Sequence, residues 1–149
     1  MRMISWFLFY LFIIVRPVLA EFNIEIKDAW ISEAPPTVKV MAGYFTILNH
    51  TEKPVDLITI QSPAFARIEF HLTGTEDGLA HMQKVEVITI PAKSDFSFSP
   101  GAYHLMLFKP TQVPKTGDLI PLQLIFSNGI SIDVEAEVKR GDHSGNHNH

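Results

Sequence analysis

None of the 149 residues is cysteine. Disulfide staples, thiolate ligands and thiol–disulfide exchange are therefore excluded, and packing alone must hold any exported domain together. Basic residues are the minority charge, 12 Lys and Arg against 16 Asp and Glu, and they form no run. That balance argues against nucleic acid as a partner. Asp and Glu are scattered without a convincing acid–base pair, and no Ser-His-Asp arrangement, nucleotide loop or catalytic zinc motif is visible. No stretch of twelve residues keeps a 3.6-residue apolar period, so little helix is expected. The apolar run from Trp6 to Val15, about ten residues, is too short to span a bilayer.

That run sits in what reads as an export signal over residues 1–20. Arg2 supplies a short positive start, and Val18-Leu19-Ala20 offers a cleavage site. Arg16 interrupts the usual neutral approach to such a site, which keeps an uncleaved anchor open as the alternative. Removing Arg2 and Arg16 with the leader leaves 10 basic and 16 acidic residues, a net charge of −6. The remainder fits one domain, residues 21–140, with a core of respectable size.

The domain reads as β almost throughout. Runs rich in Val, Ile, Phe and Thr alternate with Pro, Gly, Asn and Asp. Strands are expected at Asn23–Ile31, Met41–Leu48, Val55–Ile60, Ala66–Leu72, Met82–Ile90, Phe96–Ser99, Tyr103–Phe108, Leu119–Phe126 and Ile130–Val138. Asn128-Gly129 between the last two predicts a tight hairpin. Met41, Trp30, Tyr44, Phe45 and Tyr103 are expected in the core. Short strands joined by Pro- and Gly-bearing turns predict an all-β sandwich or barrel. From Gly141 the pattern stops, and residues 141–149 form a polar, flexible tail carrying His143, His147 and His149.

The unusual content is seven His and five Met. In a strand, residues two apart share a face, so His104 and Met106 can present an imidazole nitrogen and a thioether sulfur to one point. Copper(I), a soft ion, favours such ligands. Thioether needs no deprotonation and cannot be lost to a disulfide. Taken alone, this pair reads more simply as a half-buried strand with a satisfied histidine and a gap-filling methionine. His71 and Met82 extend the pattern to His-x10-Met-x21-His-x-Met.

That spacing resembles the copper signature of the periplasmic copper chaperone family often called PCuAC. The likeness runs from about Ile26 to Val138. It includes Asp28-Ala29-Trp30-Ile31 with Ala34-Pro35-Pro36, Ala42-Gly43-Tyr44-Phe45-Thr46-Ile47 with Asn49, and Pro100-Gly101-Ala102-Tyr103-His104-Leu105-Met106-Leu107. It departs at Ser32 and His81, where the family commonly has Arg, and at Ala102, where a second Gly is usual. The resemblance implies a cupredoxin-like Greek-key sandwich that binds one copper(I) through His71, Met82, His104 and Met106. It also implies a periplasmic location and delivery toward the binuclear copper centre of cytochrome c oxidase, to the copper-bearing subunit or a thiol-bearing assembly factor. Copper buffering or resistance, and a structural sandwich without metal, are the alternatives. An enzyme is not expected. His81 should face away from Met82, and His50 reads as a solvated turn residue. The tail histidines are either a weak site for copper(II), nickel or zinc, or incidental to a polar end.

Overall fold

A computed structural model of the chain describes residues 23–141; the expected signal and the tail histidines His143, His147 and His149 lie outside them. The described residues form ten strands and no helix. They are β1 (Ile24–Ser32), β2 (Val40–Asn49), β3 (Val55–Gln61), β4 (Phe65–Glu76), β5 (Leu79–Val85), β6 (Ile88–Ile90), β7 (Ser94–Phe98), β8 (Tyr103–Pro110), β9 (Leu119–Phe126) and β10 (Ser131–Lys139). Alternation dictates which face each strand buries. In β2, Met41, Gly43, Phe45, Ile47 and Asn49 turn inward while the residues between them stay half-exposed. Asn128-Gly129 makes the expected turn between β9 and β10, with Gly129 at φ +82.

Hydrogen bonding links the strands in the order β5-β4-β8-β2-β1-β10-β9-β3-β6, and β7 pairs with β2. Every ladder is antiparallel except β1 with β10. The sheet folds over on itself, because β3 packs against β4 and β6 packs against β2 and β7. A bulge in β1 between Lys27 and Trp30, with Asp28 at φ +53, lets that strand serve both halves. The enclosed core includes Ile31, Ile47, Leu57, Leu105, Leu107, Leu124 and Val138, all fully buried. Phe98 anchors its aromatic part, with ring centroids 4.7 Å from Phe45, 5.2 Å from Phe96 and 5.9 Å from Phe70.

Among the described residues one polar side chain is fully inside. Asn49, 1% exposed, sits where β2 ends. Its Nδ2 donates toward the carbonyls of Lys53, Ile90 and Pro91 at 2.8, 3.2 and 3.0 Å. Its Oδ1 accepts from the backbone N–H and the hydroxyl of Thr51 at 3.0 and 2.7 Å. This one amide therefore ties the β2–β3 turn to the end of β6.

Two expectations need correction. Met82–Ile90 is two strands, not one. Chain 79–85 pairs with β4, whereas Ile88–Ile90 crosses over to pair with β3. Ile88 and Ile90 are buried and Leu79–Lys84 exposed, so the core captures only the second half. Trp30 and Tyr44 are not core residues either. They lie half-exposed on the outer face, stacked on each other with centroids 4.6 Å apart. Their neighbours Ile31, Gly43 and Phe45 hold the inward positions of the same strands. Met41 and Phe45 are buried, and Tyr103 packs against the core's edge.

Candidate metal centre

The four motif residues all fall on β4, β5 and β8, three neighbouring strands. Phe70 turns inward on β4, so His71 turns outward; Leu105 is fully buried on β8, so His104 and Met106 turn outward beside it. The register then sets His71 directly opposite His104. Met106 lies opposite Glu69, one step along the ladder on the same face, and Met82 lies opposite Thr73, one step the other way. The histidines thus form the middle of a diagonal with a methionine toward each end. Each diagonal step of a ladder is about 7–8 Å between backbones, within reach of a long side chain.

The turn before β8 helps aim His104. Ser99-Pro100-Gly101-Ala102 closes with Ala102 N–H donating to the Ser99 carbonyl at 3.1 Å, and Gly101 sits at φ +80. Pro at the second position and a left-handed Gly at the third are what a type II turn demands. The Ala102 carbonyl accepts from Thr73 N–H at 3.2 Å and faces His104 Nδ1 at 3.1 Å. A carbonyl can only accept, so Nδ1 of His104 carries the proton and Nε2 keeps the lone pair.

The tautomer of His71 is opposite in sense. Its Nε2 lies 2.9 Å from Glu69 Oε2, and a carboxylate only accepts, so Nε2 carries the proton. Nδ1 of His71 is buried and is the one buried side-chain polar atom among the described residues without a hydrogen-bond partner. Such an orphan calls for an explanation, and a bound ion is one. The two imidazole centroids stand 6.0 Å apart, with planes 33° from parallel. With a metal–nitrogen bond of about 2.0–2.1 Å, two rings sharing one ion stand no more than roughly 6.3 Å apart, centre to centre. The spacing fits one shared ion.

The surroundings combine burial with an opening at one side. His104 is 6% exposed, whereas Met82 is 62% exposed on the outermost strand. Arg67 Nε donates to Glu69 Oε1 at 2.9 Å, and its guanidinium lies 3.9 Å from the centre of the Phe108 ring. The hydrogen bond from His71, with help from Arg67, holds the Glu69 carboxyl below the usual glutamate range against a smaller opposing effect of burial. Among the described residues no three His, Asp or Glu side chains converge on one point.

His81 pairs with Gly74 on the other face of the hairpin, where its ring fills the space a Cβ would need, 2.9 Å away. His50 is exposed at the start of the β2–β3 turn, 3.1 Å from Glu25. Reading the sequence alone overlooked Glu69 and Arg67. Their two-residue spacing ahead of His71 was the available signal.

A sequence model of the LpqE-like family of lipoproteins matches residues 24–138. Protein RP573 of Rickettsia prowazekii is 29% identical over 126 residues, covering 80% of this chain and 68% of that protein. Lxx21020 of Leifsonia xyli subsp. xyli, a lipoprotein in name, is 28% identical over 124 residues, covering 83% and 72%. Among solved structures, the copper-bound PCuAC domain of PmoF2 superposes with a TM-score of 0.69 at 20% identity, covering 80% of this chain and 94% of that one. DR1885 of Deinococcus radiodurans, solved with CuI, gives 0.63 at 26% identity, covering 78% of each chain. The fold is all-β and cupredoxin-like.

Proposed function

The chain belongs to the LpqE-like family, and from that premise we propose that it is a periplasmic copper(I)-binding metallochaperone. What supports the reading above all is the pair His71 and His104. Their rings are 6.0 Å apart, each has its proton committed elsewhere, and one nitrogen is buried without a partner. Met106 and Met82 complete a ligand set of two imidazoles and two thioethers on one sheet face. Neutral, soft ligands leave the ion's single charge intact and favour copper(I) over copper(II) or zinc. Copper is named for the PCuAC domain of PmoF2, and CuI for DR1885, which supports copper as the ion.

Met82 lies exposed on the outermost strand, which suits release by ligand exchange. A docking partner would replace the exposed thioether before it reached the less exposed imidazoles. The recipient we propose is the binuclear copper centre of cytochrome c oxidase, reached through its copper-bearing subunit or a thiol-bearing assembly factor; the PCuAC resemblance is its support. The lipoprotein names in the family fit an exported, envelope-associated protein. No residue of these 149 is cysteine, so none can carry a thioether-linked lipid, and export would rest on residues 1–20.

Anaerobic titration with copper(I) against a competing chelator tests the site. The wild type should take one tight equivalent, and a variant with Met82→Ala and Met106→Ala should lose it. Binding indifferent to both methionines would overturn the proposal. Measuring oxidase copper content in a deletion strain then separates supply from buffering.

A further inference from the structure

The outer face of β4 carries a line of charged groups that the ligand set does not use. Arg67, Glu69 and His71 alternate along one strand, so all three side chains project from the same face. Both oxygens of Glu69 are engaged, Oε1 by Arg67 Nε and Oε2 by His71 Nε2, each at 2.9 Å. Arg67 is itself set down on the Phe108 ring, across the ladder from it. The Glu69 and His71 side chains are only 20% and 14% exposed, so this carboxylate is more shielded than a solvated surface partner.

Resting on the copper reading above, we propose that Glu69 is a positioning residue that turns His71 so that Nδ1, not Nε2, meets the copper(I), and that Arg67 holds Glu69 in place. An imidazole can rotate about its Cβ–Cγ bond and offer either nitrogen. A carboxylate fixed on the Nε2 side removes that freedom and makes Nδ1 the available lone pair. It also makes the ring a better electron donor, as outer hydrogen bonds to ligand histidines do generally. The second histidine is fixed by a backbone carbonyl on Nδ1 and so offers Nε2. The two imidazoles would therefore bind through different nitrogens, one held by a side chain that mutation can remove and one by the main chain.

Two readouts on protein purified from the periplasm, with ring-15N histidine, test this. In the metal-free wild type the His71 signals should show the proton on Nε2, and copper(I) should shift the Nδ1 resonance. Glu69→Ala should let His71 bind through either nitrogen and weaken copper(I) about tenfold, the usual lower bound for losing such a partner. Glu69→Gln restores an acceptor and should recover the wild-type 15N pattern and most of the affinity. Arg67→Ala should give the same change in pattern as Glu69→Ala, to a smaller degree, and serves if the latter folds poorly. Ligation through Nε2 of His71 in the wild type, or a Glu69→Ala protein with unaltered pattern and affinity, overturns the inference while leaving the copper site intact. A wild type that binds no copper(I) overturns the copper reading itself, and this inference with it.

Discussion

Replacing Asn49 by Ala should be among the costliest single changes in the domain, although it pairs with Ser94 and Ile24 and not with the strands that carry His71 and His104. Asn49 is 1% exposed and its amide meets five polar groups on four residues. Nδ2 has two protons for three carbonyls, so about four hydrogen bonds are made at any time. Four of the five bonds are only part-buried, where water can replace the lost contact in part, but the Nδ2 bond to the Ile90 carbonyl is buried. Taking about 1 kcal/mol for each of two bonds not replaced, plus 1–3 kcal/mol for a carbonyl left dry, gives about 3–5 kcal/mol. That is a large part of the 5–15 kcal/mol a domain typically has. For a domain of this size it lowers Tm by roughly 10–20 °C.

Urea unfolding followed by circular dichroism on metal-free protein measures this directly. Asn49→Asp sharpens the test. It keeps the shape and the acceptor for Thr51, but turns a carboxylate toward the Ile90 and Pro91 carbonyls. It should therefore be no more stable than Asn49→Ala. A cost below about 1 kcal/mol for Ala, or full recovery with Asp, would refute the claim that the donated bonds matter.

Met82→Ala should leave metal-free stability within about 0.5 kcal/mol, because the side chain is 62% exposed at a sheet edge. The same variant should lose much of the thermal stabilisation that, on the proposed function, one equivalent of copper(I) gives the wild type, since only binding to the folded state raises Tm. Equal copper-induced shifts in both proteins would remove Met82 from the ligand set. Glu33 should titrate below the ordinary glutamate value of 4.5, chiefly through hydrogen bonds from Thr116 and then through Arg140. A depressed folded-state value stabilises above the unfolded pKa and loses that contribution as pH falls through the folded one. Carboxyl 13C shifts followed against pH check this, and a midpoint at or above 4.5 would contradict it.

Much of the site's chemistry was legible in residue order. The spacing from His71 to Met106, the missing cysteine and the period-two pattern of β8 together suggested soft, neutral ligands, with His104 and Met106 on one strand face. Asn128-Gly129 and Pro100-Gly101 announced their turns because their φ requirements are local. Trp30 and Tyr44 were misjudged for a reason that is also physical. Alternation tells which residues share a face, but not which face the rest of the molecule will cover. The division of Met82–Ile90 was hidden likewise, since both halves have strand-forming residues and only their partners differ.

The sequence by itself determined the strand content and the leader-like start, which follow from composition and local period, and supplied the imidazole and thioether groups on which the copper(I) proposal rests. Only the tertiary structure decided that β4 lies between β5 and β8, so that residues 33 positions apart, His71 and His104, stand opposite each other. That register comes from the packing of Phe70 on Phe98 and of Leu105 and Leu107 in the core, contacts between segments distant in the chain. The contacts that select the nitrogen each ring leaves free, from Glu69 and the Ala102 carbonyl two residues before His71 and His104, are local; the register is not. Local sequence preferences cannot carry such information, because cross-strand register is set by which distant faces bury each other.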